Sequence, residues 1–218
     1  MRPTRFTIPA LTSGTLFATY LLIRPYGDMG ADGTLDAARA FASPAWVASH
    51  VLGALGLAAF AWLALAVGEA AQERMARIAG WAAMAGVVLV LPYYGAETFA
   101  LHVLGKAALG GDTSALPLFE QVRNDPTALA MFGVGLLLLA VSGVLLALAW
   151  QRTRRGWSAW PLGVLMALVL PQFYLPPVGR MAFGVAYAVA ALVFALAGPP
   201  RGELRVLTPN SVRFTFSP

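Results

Sequence analysis

Charged residues divide this chain into six long stretches that carry no charge. These stretches cover residues 6–23, 40–68, 78–96, 126–151, 156–179 and 181–200. A helix needs about 20 apolar residues to cross a hydrocarbon core roughly 30 Å thick, so each stretch is long enough for one crossing. Only 11% of the 218 residues are charged and 59% are hydrophobic, whereas a soluble domain carries about 25% charged residues. The sequence therefore predicts that the chain lies in a lipid bilayer.

The predicted fold is an all-α polytopic membrane bundle with six transmembrane helices in a single domain, residues 1–200. The predicted spans are about 6–23, 45–68, 78–96, 127–150, 157–175 and 181–198, and a flexible cytoplasmic tail follows at 201–218. The first span resembles a signal peptide, and without it five spans would remain. Arg24-Pro25-Tyr26 follows it in place of a small-residue cleavage site, which favours a retained helix. Pro176 and Pro177 predict a turn between the last two spans.

Basic residues are distributed unequally over the two sides of this six-span arrangement. Ten of the 15 lysines and arginines fall on the side of the termini and five on the other. Because cytoplasmic loops carry the excess of basic residues, the count predicts cytoplasmic termini in the inner (cytoplasmic) membrane of a bacterium. The two longest connections, 24–44 and 97–125, then lie on the outer side. Long loops carry function more often than tight turns, so the outer side is where a site is expected.

Two features of the composition exclude whole classes of function. The chain contains no cysteine, which rules out disulfides, thiolate nucleophiles and cysteine-bound metal clusters. Its formal net charge is +5, but the basic residues separate apolar stretches and form no basic face, so nucleic acid is not a predicted partner.

Small residues recur at helical spacing inside the predicted spans. Ala82 and Gly86 share a face of the third span, and Ala182, Ala186 and Ala190 share a face of the sixth. Such stripes let helices approach closely in lipid. They predict packing within one bundle, and they leave open a homo-oligomer or a larger membrane complex.

Polar side chains that are unusual for a membrane helix gather near the predicted outer surface. They form a candidate polar pocket of His50, Tyr93, Tyr94, Glu97, Gln172 and Arg180. An ionised group at the bilayer centre costs about 2.5–3.5 kcal/mol, so such groups usually have a partner or a function. We expect a small pocket that opens outward, in a transport-like or accessory membrane subunit.

Two other kinds of function remain open from the same residues. His50 and His102 are the only histidines, and two imidazoles from different helices would suit a b-type haem. His50, His102 and Glu97 together would suit a divalent metal, although residues 97 and 102 point about 140° apart on a regular helix. Alternatively, Glu97 would serve a membrane-embedded enzyme as general acid or base, with Tyr93 and Tyr94 on the same helical face.

Depth along the helices separates these readings. At 1.5 Å per residue, a helix that starts near Ala45 places His50 about 7–8 Å below the outer boundary of its span. If the third span reaches that boundary near Ala96, His102 would lie about 9 Å above it on a continuing helix. We therefore predict that Tyr93, Tyr94 and Glu97 approach His50 more closely than His102 does.

Two segments carry a resemblance to known sequences. They are Ser43-Pro44-Ala45-Trp46-Val47-Ala48-Ser49-His50-Val51-Leu52 and Glu97-Thr98-Phe99-Ala100-Leu101-His102. Both resemble segments of uncharacterised multi-pass membrane proteins of bacteria. The resemblance implies a multi-span architecture and implies no particular activity.

Overall fold

The structure, a computed structural model, describes residues 4–31, 33–71, 73–151 and 156–197. Every regular element in these ranges is helical, as the sequence predicts. The α-helices are α1 (Thr4–Ile23), α2 (Leu35–Ala42), α3 (Pro44–Ala71), α4 (Arg74–Gly95), α5 (Leu101–Leu109), α6 (Leu118–Arg123), α7 (Pro126–Trp150), α8 (Trp160–Ala167) and α9 (Pro177–Leu196). A π-helical turn, Ala96–Ala100, joins α4 to α5 without a break. The predicted tail at 201–218 lies outside the described residues.

Within the described ranges, five helical stretches are long and apolar enough to cross a membrane. They are Arg5–Ile23, Pro44–Ala71, Arg74–Leu109, Pro126–Trp150 and Pro177–Leu196. Large apolar side chains such as Trp62, Val88 and Leu137 stay exposed along them. Many exposed large apolar side chains on long apolar helices are typical of a surface that lipid covers. The stretch 6–23, which resembles a signal peptide, forms α1 and packs between α3 and α9.

The long helices approach each other most closely where glycines meet. A Cβ atom built on Gly86 of α4 would lie 2.7 Å from the carbonyl oxygen of Gly135 on α7, and the reverse contact is also 2.7 Å. Ser142 of α7 donates a hydrogen bond of 2.7 Å to the carbonyl of Ala79 on α4. Small residues therefore serve contacts within the bundle, which is the role that packing in lipid predicts for them.

The predicted span at 157–175 is not one regular helix. This segment consists of a 3₁₀ turn at Gly156–Ala159, the short helix α8, and a second 3₁₀ turn at Pro171–Tyr174. Pro171 has no N–H to donate to the carbonyl four residues earlier, and its ring crowds that carbonyl, so α8 ends at Ala167. The segment still lies along α7, with Gly163 against Gly143.

Three short helices, α2, α5 and α6, form a cap over one end of the bundle, where the sequence predicts only long loops. They enclose a small apolar cluster of their own, whose core is Ala37, Ala38, Phe41, Trp46, Leu101, Ala108, Ala115 and Phe119. The side chain of Thr34 accepts a hydrogen bond from the N–H of Ala37 and so begins α2. We refer to this end of the molecule as the cap end.

Candidate functional site

A cavity of about 510 Å³ opens at the cap end, between the bundle and the cap. Its walls come from the end of α1, the loop that follows it, the π turn, α6, α7, the broken segment after α8, and α9. The lining residues are Tyr20, Arg24, Asp28, Met29, Gly30, Tyr93, Glu97, Arg123, Asn124, Leu129, Phe132, Gly133, Leu170, Phe173, Tyr174 and Arg180. Cavities of a few hundred Å³ that combine apolar walls with a few polar groups are typical of small-molecule sites.

Asp28 connects the bundle to the cap through two ion pairs. Its Oδ2 atom accepts a hydrogen bond of 2.7 Å from Nη2 of Arg24 and one of 2.5 Å from Nη2 of Arg123. Burial alone would raise the pKa of the Asp28 carboxyl, but the two guanidinium groups outweigh it and hold that pKa below its ordinary value. Burial would likewise lower the pKa of Arg123, yet Glu97 and Asp28 raise it. Asp28, Arg24 and Arg123 are therefore all charged at neutral pH.

Arg24 is also enclosed by aromatic rings. Its Cζ atom lies 4.9 Å from the centre of the Trp46 ring and 5.0 Å from that of Tyr26. Burial raises the pKa of Tyr26 to about 12 despite the nearby Arg24, so its hydroxyl stays protonated. Cation–π contacts of this kind contribute more when they are desolvated, and they help hold the guanidinium of Arg24 in place.

Glu97 lies in the π turn and faces two basic side chains. Its Oε1 atom is 3.2 Å from Nε of Arg123, and its Oε2 atom is 3.7 Å from Nε2 of His50. The π turn closes with a bond from the N–H of Leu101 to the carbonyl of Ala96, which inserts one residue into an otherwise α-helical run. Such insertions occur frequently at functional sites.

The two histidines contact different parts of the molecule. Nδ1 of His50 lies 2.8 Å from the carbonyl oxygen of Trp46, and its ring packs on the Trp46 ring at 4.1 Å. Nδ1 of His102 instead lies 2.8 Å from the carbonyl oxygen of Phe41 on α2. The structure thus brings Glu97 to His50 and directs His102 into the cap. In the described part of the chain, no three His, Cys, Asp or Glu side chains form a group that would hold a metal ion.

Aromatic side chains form the apolar part of the cavity wall. Tyr93 stacks on Phe132 with 4.5 Å between ring centres, and Phe132 meets Phe173 edge-on at 5.7 Å. Tyr94 lies behind this wall, with its ring 6.0 Å from that of His50. The wall leaves space beside Gly133, because a Cβ atom at that position would meet no atom within 4 Å.

Arg180 reaches the cavity from the first turn of α9. Its Nε atom donates a hydrogen bond of 3.1 Å to the carbonyl of Leu175, Nη2 donates to the carbonyl of Phe173, and Cζ lies 5.6 Å from the Phe173 ring centre. Gln172 is buried nearby but does not line the cavity. Neither atom of its amide group makes a hydrogen bond to a described residue.

Three of the six residues predicted for the pocket line the cavity, namely Tyr93, Glu97 and Arg180. His50 and Tyr94 lie behind Glu97 and the aromatic wall. Sequence reasoning missed Tyr20, Arg24, Asp28 and Arg123 as site residues. The opposite charges at positions 24 and 28 were a signal for one ion pair. Nothing in the sequence pointed to Arg123, which lies 95 positions from its partner Asp28.

No protein-family model matches the chain, and no significant match exists to a curated protein or a solved structure.

Proposed function

We propose that this chain is a six-span protein of the cytoplasmic membrane that binds a small ligand in an outward-facing cavity, in a transport-like or accessory role. The observation that carries the proposal is the cavity itself, in which buried arginines and carboxylates stand beside aromatic rings at one end of an apolar bundle. Charged groups are expensive at membrane depth, and they persist mainly where they serve a pathway or a ligand.

Six crossings follow if the broken segment counts as one. Trp150 lies at the end of α7, and its ring centre is 5.6 Å from that of Phe6 and 4.7 Å from that of Phe194. Phe6 is near the start of α1 and Phe194 near the end of α9, so these contacts lie at the end of the bundle opposite the cap. Arg180, at the start of α9, lines the cavity at the cap end. We therefore propose that the chain between Trp150 and Arg180 runs from one end to the other, and its contacts with α7 support a crossing at residues 156–176.

An even number of crossings puts both termini on one side, and the basic-residue count makes that side cytoplasmic. Single cysteines test this arrangement without background, because the chain has none of its own. We expect a membrane-impermeant maleimide to label Ser114→Cys in intact cells and to label Ser211→Cys only after the cells are opened. The reverse labelling pattern would contradict the orientation, and equal labelling of both sites in intact cells would contradict the even number of crossings.

Binding accounts for the surroundings of Glu97 better than catalysis does. One of its carboxylate oxygens lies 3.2 Å from Nε of Arg123 and pairs with that guanidinium. The other lies 3.7 Å from Nε2 of His50, which is too long for a hydrogen bond. Glu97 is therefore the counter-ion of Arg123, which supports an electrostatic role in the cavity wall. The haem and metal alternatives gain no support from the separate surroundings of His50 and His102.

A cysteine inside the cavity tests the binding function directly. In Gly133→Cys, the new side chain enters open space at the cavity wall, so we expect labelling by the impermeant reagent from outside. Val141→Cys, on the exposed apolar face of the same helix, is the matched control and should stay unlabelled. Labelling of Gly133→Cys from outside alone indicates an accessory binding protein, and labelling from both sides indicates alternating access. If the reagent reaches it from neither side, the proposed cavity is wrong.

A further inference from the structure

Among the described residues that line the cavity, the charges do not balance. Three guanidinium groups, those of Arg24, Arg123 and Arg180, face it together with two carboxylates, those of Asp28 and Glu97. Asp28 pairs with both Arg24 and Arg123, and Glu97 adds a second contact to Arg123. Both negative charges are therefore engaged on the side of the cavity that carries α6 and the loop after α1.

The guanidinium group of Arg180 is the positive charge that is left over. Within the described residues its partners are the carbonyls of Phe173 and Leu175 and the Phe173 ring, and none of them carries a negative charge. The hydrogen bonds that Arg180 makes within the described residues come from Nε and Nη2 and leave Nη1 for a ligand, although the residue as a whole is only 8% exposed. A largely buried charge is costly unless an opposite charge or further hydrogen bonds compensate it.

The opposite wall gives the size and character of the rest of the ligand. The rings of Tyr93, Phe132 and Phe173 form a contiguous surface, and Leu129, Leu170 and the open space at Gly133 extend it. Such a wall binds an aromatic or aliphatic body by apolar burial and ring stacking. An ion without such a body would leave this wall uncovered.

We infer that the cavity binds an anion attached to an apolar body, with its carboxylate or phosphate group on the free side of the Arg180 guanidinium and its body against the aromatic wall. The inference rests on the proposed function and specifies its ligand class. Guanidinium groups bind carboxylate and phosphate through paired, charge-assisted hydrogen bonds, which is a geometry that Lys does not reproduce. A soluble amphipathic anion and the headgroup of an anionic lipid share this chemistry.

The test uses the full chain in nanodiscs and two anionic probes. Phenyl phosphate represents the soluble source, and phosphatidylglycerol, added to phosphatidylcholine discs, represents the lipid source. Benzyl alcohol is the neutral counterpart of the soluble probe, and discs of phosphatidylcholine alone are the reference for the lipid arm. Binding is measured as the increase in the unfolding temperature and as a dissociation constant. We expect at least one anionic probe to bind, and phenyl phosphate, where it binds, to exceed benzyl alcohol at least tenfold in affinity.

Two variants and one control separate the parts of the inference. Arg180→Gln should weaken anion binding by roughly tenfold or more, since it removes a charge-assisted contact. Arg39→Gln removes an arginine that is exposed on α2 and paired with Asp36 outside the cavity, so it should bind as the native protein does. Gly133→Leu should block every probe, because its side chain fills the space beside the aromatic wall.

Each result decides between the ligand class and the proposed function. If Gly133→Leu blocks binding but Arg180→Gln has no effect, the cavity binds ligands and the anionic class is wrong. If neither anionic probe binds while Gly133→Cys is labelled from outside, the proposed cavity is supported and the proposed ligand class is wrong. If Gly133→Cys is not labelled either, both proposals fail. Should Arg180→Gln not fold, equal affinity of the native protein for phenyl phosphate and benzyl alcohol would overturn the inference.

Discussion

Replacing Asp28 by Asn tests whether a single carboxylate holds the cap onto the bundle. Asp28 lies in the loop after α1, and its side chain is only 3% exposed. One of its oxygens binds Arg24 at 2.7 Å and Arg123 at 2.5 Å. Asn keeps the size and shape of the side chain but removes the charge, so the substitution isolates the electrostatic contribution. Glu97 would then be the remaining carboxylate among the described residues of the cavity wall.

The expected loss follows from the burial of all three groups. Removing one partner of a buried ion pair costs about 3–5 kcal/mol of unfolding free energy, because the remaining charge is left without compensation. Two features place this case near the lower limit. The Arg123 side chain is 17% exposed, and Glu97 lies 3.2 Å from its Nε atom. We therefore expect Asp28→Asn to destabilise the protein by about 3 kcal/mol.

Asp36→Asn is the matched control. Asp36 pairs with Arg39 within α2, and the two side chains are 73% and 65% exposed. Exposed pairs contribute about 0–1 kcal/mol, so this variant should unfold almost as the native protein does. Both variants would be unfolded in the same detergent, with intrinsic tryptophan fluorescence as the signal; Trp46 of α3, which packs in the apolar cluster of the cap, is one of the six tryptophans that contribute to it.

A double-mutant cycle separates the ion pair from other effects of the substitution. In an Arg123→Gln background, Asp28→Asn should cost clearly less than it does in the native protein, since one of the two stranded charges is already gone. The reasoning is refuted if Asp28→Asn and Asp36→Asn destabilise the protein equally. It is also refuted if the costs of Asp28→Asn and Arg123→Gln are simply additive.

Three further predictions concern the same structure. The pKa of Asp28 is lower in the folded protein than in the unfolded chain. The ionised carboxylate therefore stabilises the fold fully above the unfolded pKa of about 3.9, and this stabilisation is lost as the pH falls through the lower folded pKa. In an acid titration, Asp28→Asn should make the unfolding free energy fall less steeply with decreasing pH. Gly135→Val should lower the unfolding free energy by about 1–3 kcal/mol, since its Cβ atom would lie 2.7 Å from a backbone oxygen of α4, whereas Gly133→Val should unfold like the native protein. Trp46→Phe removes the 2.8 Å hydrogen bond to the Glu97 carbonyl and should cost about 1–3 kcal/mol, measured by the loss of helical circular dichroism because the substitution removes a tryptophan.

The spacing of charges predicted the long helices because membrane insertion imposes a simple length rule. A backbone in lipid must satisfy its hydrogen bonds internally, so an uncharged apolar stretch of sufficient length becomes a helix. The rule failed at 157–175, where the length and hydropathy were right but Pro171 interrupts the hydrogen bonding. It also gave no information on α2, α5 and α6, whose stability depends on the apolar cluster that they form with Trp46.

The candidate site could be predicted only where its residues lie at the ends of spans. Tyr93, Glu97 and Arg180 were named because they are polar groups close to an apolar stretch. The sequence places Arg24 at the end of a span and Arg123 in a loop, whereas in the structure both form ion pairs with Asp28. Contacts between residues this far apart depend on how the cap folds, and a single sequence gives no information on that.

The cavity lies where two of its walls depart from regular helix. On one side the π turn at Ala96–Ala100 carries Glu97 to Arg123 and His50. On the other side the 3₁₀ turn at Pro171–Tyr174 exposes the carbonyl of Phe173, to which Arg180 donates. Irregular backbone at membrane depth persists only where protein covers it or where it lines a polar cavity, because lipid offers no hydrogen bonds. Pro177, four residues after Phe173, has no N–H to donate, so the Phe173 carbonyl has no helical partner and accepts from Arg180 instead.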